Sequence, residues 1–149
     1  MKKSNLGRHK ARRFSLQAIY QWQMSGTPVN EITTQFLIEK SDNTTFDRAY
    51  FQELLNGVVT HQAGLDELLA PCLSRTLATV DPIERAVLRL ATYELVYCLE
   101  IPYKVVINEA LDLSKTFGTE DGHKFVNGVL DKLAQSVRSV EIRAFQSNQ

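Results

Sequence analysis

A row of side chains suited to RNA follows one face of the predicted first helix. Arg13, Gln17 and Tyr20 stand at positions i, i+4 and i+7, so they should lie in line on a helix surface. A guanidinium group pairs with phosphate or stacks on a base, an amide can read base edges, and a phenol ring can stack an unpaired base. Arg8 and Arg12 precede them on the same side of the helix. These five residues form the first candidate RNA-binding surface.

Basic residues are concentrated at the N-terminus, although the 149-residue chain has a formal net charge of zero. The first thirty residues contain no acidic side chain, and their basic side chains are Lys2, Lys3, Arg8, Lys10, Arg12 and Arg13. The remaining chain has 11 basic and 17 acidic residues. Because the N-terminal charges repel one another without relief, the pattern indicates a polyanionic partner. The alternative is a basic face that is simply solvated, with Tyr20 half-buried between helices.

A second surface of similar chemistry is predicted near the start of the last long helix. Lys124, Gly128 and Lys132 lie on one flank of that helix, and Phe125 stands about 100° from its apolar centre. An aromatic ring between two lysines and beside a glycine could stack a base against exposed backbone. The alternative is that Phe125 covers the edge of the core. Asp121 is interpreted as a favourable negative charge in the first helical turn.

The residue types that carry catalysis are present, but their spacing does not predict a catalytic site. His9, His61 and His123 are dispersed, and none has metal-ligand spacing with another histidine or a cysteine. The sequence contains neither a phosphate-binding loop nor a nucleophile elbow. Asp121 and His123 are two residues apart and therefore do not face each other on a helix. We predict a binding protein without cofactor or metal rather than an enzyme.

Cysteine usage and hydropathy favour a cytoplasmic protein. Cys72 and Cys98 are far apart in the sequence, and both are predicted to be buried free thiols in a reducing compartment. No apolar run approaches the ~18 residues of a membrane span. The basic N-terminus has no apolar region of the kind that signal peptides contain. We therefore expect no membrane association.

Apolar residues recur with helical period along the chain, and no segment is predicted to be a strand. The expected helices span about 7–24, 29–39, 47–59, 65–70, 83–99, 103–117 and 119 onwards, with a loop at 41–45 and a frayed tail at 147–149. The core stripe of the first helix is predicted to consist of Ala11, Phe14, Ala18 and Trp22. Gly64 is either a tolerated interruption of a helix or a break between two helices.

The clearest helix start is the sequence Asp81-Pro82-Ile83-Glu84. Asp81 can accept hydrogen bonds from free backbone N–H groups, Pro82 suits the first helical position, and Glu84 occupies the capping-box position. The helix that follows is apolar nearly all round, which is typical of a central, buried helix.

Six to seven helices with short links predict an all-α fold in a single domain, 1–149. The polar loop and the segment from Pro71 to Pro82 divide it into an N-terminal half of about 1–72 and a C-terminal half of about 79–140. Gly118 is predicted to end one of the helices in a left-handed backbone conformation.

Three segments together resemble a known family. The pattern R-x-x-x-R-R-F-S-L-Q-A-I-Y from Arg8 to Tyr20 is similar to an arginine-rich first helix, and DPIERAVLRLATYEL from Asp81 to Leu95 is similar to a central helix. The most specific stretch is FGTEDGHKFVNGVLDK from Phe117 to Lys132, within the longer segment from Ile101 to Ala134. All of them resemble the NusB family of transcription antitermination proteins.

The resemblance implies six to seven helices in two stacked helical subdomains. It also implies binding to boxA, a short single-stranded element of nascent ribosomal RNA transcripts. The partner would be a small-subunit ribosomal protein, NusE, in a heterodimer inside an antitermination complex on RNA polymerase. Some members of the family self-associate, so a homodimer is a further expectation.

The resemblance also implies where the RNA binds. The family's RNA surface combines the first helix with the start of the last one, and the matching residues here are Arg8, Arg12, Arg13, Tyr20, Lys124 and Phe125. Asp121 matches a position near that surface. Gly122 stands where relatives often carry serine, a departure that could change the capping of the last long helix.

Three alternative functions remain open from the sequence. NusB-like helical domains also occur fused to RNA methyltransferases, although this chain lacks the glycine-rich cofactor loop and the cysteine motif of such a catalytic half. A protein adaptor would use the basic helix to bind an acidic partner. A hydrolase or nuclease would be built on Asp121, His123 and Lys124.

Overall fold

The computed structural model describes residues 2–147, and within that range the protein consists of helices without strands. Met1, the side chains of residues 2–4 and the predicted frayed residues 148 and 149 lie outside the description. The α-helices are α1 (Lys2–Ser25), α2 (Val29–Glu39), α3 (Arg48–Leu69), α4 (Pro82–Tyr97), α5 (Tyr103–Phe117), α6 (Gly122–Val137) and α7 (Ser139–Ser147). Two 3₁₀ turns, Ala70–Cys72 and Leu77–Thr79, connect α3 with α4. The predicted all-α fold is confirmed.

The chain forms two compact units, an N-terminal unit of residues 1–62 and a C-terminal unit of residues 63–149. Helix α3 supplies its first turns to the N-terminal unit and its last turns to the C-terminal unit. It continues through Gly64, so this glycine is a tolerated interruption and not a break.

Four phenylalanines form the aromatic core of the N-terminal unit. Phe46 contacts both Phe14 and Phe51 edge to face, with ring centroids 4.9 and 5.5 Å apart, and Phe36 stacks on Phe51 at 5.6 Å. Such geometries are favoured because the positive edge of one ring meets the negative face of another. The aromatic core joins α1, α2 and α3 to the loop before α3, and it fixes the side of α1 that faces solvent.

The N-terminal helices match the predicted pattern closely but not completely. Helix α2 has the predicted bounds, and α1 ends next to Gly26, whose φ of 69° is a left-handed conformation that glycine adopts without steric cost. In α1, Ala11 and Ala18 are fully buried as predicted, whereas Phe14 and Trp22 are only half-buried. The side chains that were missed are Leu16 and Ile19, both buried.

Helix α4 is the central helix of the C-terminal unit, as its apolar sequence predicts, and it packs against α5 and α6. Asp81 caps it: the carboxylate Oδ2 accepts hydrogen bonds from the backbone N–H groups of Ile83 and Glu84 at 2.9 and 3.3 Å. Among the described residues, no helix combines the length and apolar composition needed to cross a bilayer.

The C-terminal end of α4 is held by the guanidinium group of an arginine that follows α6 in the sequence. Arg138, between α6 and α7, is 4% exposed, and it donates hydrogen bonds to the carbonyl oxygens of Glu94, Leu95, Cys98 and Ile101 at 2.7–3.3 Å. These carbonyls belong to the last turn of α4 and the loop after it, and those of Glu94 and Cys98 also accept hydrogen bonds from the backbone N–H groups of Cys98 and Ile101 at 3.0 Å. Arg138 thereby satisfies four buried acceptors and ties α6 and α7 to α4.

Removing the Arg138 guanidinium should strongly destabilise the C-terminal unit. We expect Arg138→Ala to lower the free energy of unfolding by about 3–5 kcal/mol, because four buried carbonyls lose a charged donor and the Glu141 carboxylate loses its ion-pair partner. Urea denaturation followed by circular dichroism measures this loss. The matched control is Arg143→Ala, which removes an exposed arginine of α7 and should change stability by less than about 0.5 kcal/mol. Equal stability of the two variants would contradict the role of Arg138.

Candidate nucleic-acid interface

The predicted row on α1 is partly open to solvent. Tyr20 is 36% exposed, and Arg13 and Gln17 are half-buried on the same helix. Tyr20 is therefore the most exposed side chain of this row. The three residues remain in line, so α1 offers a guanidinium, an amide and a phenol within the N-terminal unit.

The two other predicted arginines of α1 are arranged around one tyrosine. The Arg8 guanidinium lies 4.4 Å from the ring centroid of Tyr50, and that of Arg12 lies 5.6 Å from it. Arg8 is half-buried, but Arg12 is only 5% exposed. The expectation that Arg12 lies on the same solvent-accessible surface as Arg13, Gln17 and Tyr20 is therefore wrong. The sequence pattern missed this burial because Tyr50 comes from α3, far along the chain. Whether Arg12 contacts RNA stays a prediction.

Lys10 is also engaged within the N-terminal unit. Its Nζ atom donates to Thr45 Oγ1 at 2.5 Å and to Asn43 Oδ1 at 3.4 Å, so it fixes the loop before α3. Gly7 contacts the same loop: a Cβ atom there would lie 2.6 Å from the Thr45 carbonyl oxygen. Part of the basic charge of α1 therefore holds the fold together and is less available to a ligand.

On α6 the predicted charged residues are at the surface. The side chains of Asp121 and Lys124 are 79% and 73% exposed, and they form an ion pair of 3.4 Å. An exposed pair of this kind contributes little to stability and is easily rearranged. Phe125 is half-buried, so it covers the edge of the core and also presents part of its ring to solvent.

Phe125 separates two recesses in the surface of the C-terminal unit, each of about 300 Å³. One recess is acidic, and its other lining residues are Arg75, Val80, Asp81, Glu84, Thr119, Asp121 and Gly122. The other is basic, and its other lining residues are Cys72, Ser74, Lys124, Gly128, Val129 and Lys132. We call these the acidic recess and the basic groove. The grouping of Lys124, Phe125, Gly128 and Lys132 agrees with the surface predicted from the sequence.

Arg75 is a further residue of this surface that sequence reasoning missed. Its guanidinium lies over the Phe125 ring, 5.4 Å from the centroid. It is exposed and lies between the two 3₁₀ turns, where no helical periodicity marks it. Only the fold brings it to α6.

A buried carboxyl group sets the start of α6. Glu84 is 2% exposed, and its Oε1 atom accepts hydrogen bonds from the Thr119 backbone N–H at 3.3 Å and the Thr119 hydroxyl at 2.6 Å. No hydrogen bond from the Asp81 backbone N–H to Glu84 is found among the described residues, so the capping-box interpretation is not supported. The carboxyl group reaches across to the turn before α6 because Thr119 supplies two donors there.

Two glycines make room for this carboxyl group. A Cβ atom on Gly118 would lie 2.8 Å from Glu84 Oε2, and one on Gly122 would overlap the carboxyl group itself. Gly118 has φ of −91°, so the predicted left-handed conformation is wrong. Its lack of a side chain serves close packing instead. The same overlap would force Glu84 or the turn to shift if serine replaced Gly122.

The pKa values of Glu84 and Asp81 shift in opposite directions. Burial raises the pKa of Glu84, and the neighbouring Asp81 carboxylate raises it further. The interaction with Glu84 is the main cause that lowers the pKa of Asp81. Glu84 Oε2 is buried and has no hydrogen-bond partner among the described residues. These shifts favour a neutral Glu84 and an ionised Asp81, the carboxylate that caps α4.

The described residues contain no group of three or more His, Cys, Asp or Glu side chains that could hold a metal ion. Cys98 is buried, whereas Cys72 is half-buried, so the prediction of two buried thiols is only partly correct. Burial raises the pKa of the Cys72 thiol, which favours the unreactive protonated form. These features offer no assembled nucleophile or metal centre in this part of the chain.

Comparisons with known proteins identify one family across most of the chain. The family model that matches residues 9–135 is that of the NusB family. The transcription antitermination protein NusB of Pseudomonas savastanoi pv. phaseolicola is 52% identical over 137 residues, covering 92% of this chain and 82% of the relative. NusB of T. maritima aligns with a TM-score of 0.78 at 31% identity, covering 87% of this chain and 91% of that chain. A crystal structure of antitermination factors NusB and NusE in complex with dsRNA aligns with a TM-score of 0.79 at 27% identity, covering 87% and 96%.

Replacing Glu84 by glutamine should change how stability depends on pH. A raised folded-state pKa means that the contribution of Glu84 is present at low pH and is lost as pH rises above the ordinary value of 4.5. Glutamine can make the same hydrogen bonds at every pH. We therefore expect Glu84→Gln to gain stability relative to the original protein between about pH 5 and about pH 8.

Urea denaturation at the two pH values measures this difference. The control is Glu100→Gln, because Glu100 is exposed and its substitution should give a difference that does not change with pH. An equal loss of stability at both pH values in Glu84→Gln would mean that the fold needs the charged carboxylate, which would overturn the raised pKa of Glu84.

Proposed function

The chain belongs to the NusB family, and we propose that it is a transcription antitermination factor that binds boxA RNA together with a ribosomal protein. The RNA is a short single-stranded element in nascent ribosomal RNA transcripts, and the partner is the small-subunit protein NusE. The proposed mechanism is binding without turnover, and it requires no cofactor.

The observation that carries this proposal is the surface around Phe125. A half-buried ring stands between an acidic recess and a basic groove, and two lysines of α6 line that groove. Single-stranded RNA is bound in this way elsewhere: cationic side chains follow the backbone while aromatic rings stack the bases. Lys124 and Lys132 would neutralise phosphates, and Phe125 would stack one unpaired base.

Helix α1 offers the second surface of the proposal, in the N-terminal unit. Tyr20 can stack a base, while Arg13 and Gln17 can contact phosphate and base edges. Arg8 lies half-buried on Tyr50 and can offer only part of its guanidinium. These assignments are proposals for each unit separately.

The proposed partner is supported by one solved relative. A structure of the antitermination factors NusB and NusE in complex with dsRNA shares the fold of this chain at 27% identity. We infer that this chain also forms a heterodimer with NusE and acts with it in an antitermination complex on RNA polymerase in the bacterial cytoplasm. Self-association into a homodimer is a further part of this proposal.

The rival function is a protein adaptor whose basic helix binds an acidic protein. The combination of an aromatic ring and two lysines on α6 favours RNA, because a partly accessible ring can stack a nucleobase while the lysines pair with phosphates. Competition between boxA RNA and scrambled RNA separates the two functions, since an adaptor would not distinguish the sequences.

Substitutions in the basic groove should weaken RNA binding in distinguishable ways. We expect Lys124→Ala to reduce affinity and to make the log–log salt slope shallower by about 0.7, because one phosphate contact is lost. Phe125→Leu keeps an apolar side chain but loses the ring, so it should reduce affinity roughly tenfold with little change in slope. Fluorescence anisotropy of labelled boxA and scrambled RNA measures both.

Arg143→Ala, which removes an exposed charge of α7 outside this surface, serves as the matched control. The proposal fails if the unmodified protein binds boxA and scrambled RNA equally in the presence of NusE. It also fails for this surface if Lys124→Ala and Phe125→Leu behave like the control.

NusE should increase the affinity for boxA more than the affinity for scrambled RNA. A second RNA-facing surface held in the same complex raises the effective concentration of the RNA at the first one. Anisotropy titrations with preformed heterodimer, with each protein alone and with dsRNA as competitor measure the gain. Heterodimer affinity no greater than that of the better single component would contradict the proposed cooperation.

A further inference from the structure

Arg75 holds its guanidinium over Phe125 without any stronger partner. The distance from the guanidinium carbon to the ring centroid is 5.4 Å, and the side chain is exposed. Among residues 2–147, no hydrogen bond or ion pair to Arg75 is found, so the ring is its one specific contact. An exposed contact between a cation and a ring is weak, and Arg75 is therefore free to change partners.

The position of Arg75 argues against a role in binding phosphate. It lines the acidic recess, where the carboxylate of Asp81 is kept ionised and that of Asp121 is nearby. A phosphate placed there would be repelled by these charges. The lysines suited to phosphate are on the other side of the ring, in the basic groove.

We propose that Arg75 and Phe125 together hold one unstacked base of the bound RNA, with the guanidinium stacked on the face of the base that does not meet the ring. A guanidinium is planar and weakly hydrated, so it stacks on bases as it does on aromatic side chains. In the free protein it rests on Phe125 and covers the ring. On binding, the base takes its place on the ring and the long side chain closes over the base.

Chain geometry permits this movement. Arg75 belongs to the irregular segment between the two 3₁₀ turns, so its backbone is not held by helical hydrogen bonds at that point. Only the guanidinium has to lift, by about the thickness of one base. This inference rests on the proposed RNA-binding function and adds a residue to it.

The test compares Arg75→Ala, Arg75→Lys and the matched control Arg143→Ala by anisotropy with labelled boxA RNA at several salt concentrations. Arg75→Ala should weaken binding roughly five- to tenfold, as expected for the loss of stacking on one base. Arg75→Lys keeps the charge but not the plane, so it should weaken binding nearly as much. The salt slope should stay unchanged in Arg75→Lys, and thermal melting should show that all variants remain folded.

Three results would overturn the inference. Arg75→Lys binding like the unmodified protein would mean that only the charge matters. A log–log salt slope that is shallower by about 0.7 in Arg75→Ala, together with unchanged RNA affinity of Arg75→Lys, would mean that Arg75 contacts a phosphate. Tighter binding by Arg75→Ala would mean that Arg75 merely competes with the base.

The same titrations separate this inference from the proposed function. If boxA and scrambled RNA bind equally, the boxA function fails, but the effect of Arg75→Ala on both RNAs still supports the stack, because stacking tolerates any base. If the protein prefers boxA, and Phe125→Leu lowers the affinity for boxA while Arg75→Ala does not, only the inference fails. If neither RNA binds, both fail.

Discussion

The neutral carboxyl group of Glu84 joins the first turn of α4 to the turn that precedes α6. It is buried and accepts two hydrogen bonds from Thr119, and its raised pKa favours the neutral form. A charged carboxylate in the same place would lose its hydration without an opposite charge beside it. The neutral form removes that cost, while the ionised Asp81 carboxylate caps α4. The direction in which α6 leaves the turn, and with it the position of Phe125, depends on this arrangement.

Close packing around Glu84 explains why glycine occupies two positions near it. Neither Gly118 nor Gly122 has a positive φ, so neither is needed for backbone conformation. Each is needed for space, because a Cβ atom would meet the carboxyl group. The left-handed glycine of the described chain is Gly26, at the end of α1. Local sequence signals could not separate these two uses of glycine, since space depends on a side chain from a distant helix.

Sequence reasoning predicted the features that depend on neighbouring residues and missed those that depend on distant ones. Helical period predicted α2 and the central position of α4, and a local capping signal predicted the role of Asp81, because each depends on neighbours within a few residues. The burial of Arg12 against Tyr50 and the approach of Arg75 to Phe125 depend on residues about 40 or 50 positions away. The sequence therefore predicted the chemical type of the candidate RNA-binding residues and the helix face on which they lie. Their exposure and their contact partners could be determined only from the folded structure.

The net charge of the whole chain is zero, so long-range attraction to RNA can come only from the locally basic N-terminal segment. Part of its basic charge is already used inside the fold, as Lys10 on Thr45 and Arg12 on Tyr50 illustrate. Affinity must then come from short-range contacts, of which stacking on an accessible ring is the least sensitive to salt. The C-terminal unit has Phe125 between the acidic recess and the basic groove, so a phosphate would be attracted on one side of the ring and repelled on the other. An RNA strand laid across such a ring would be oriented by the charges but held by the stack, and a second RNA-facing protein surface would supply the affinity that the neutral chain lacks.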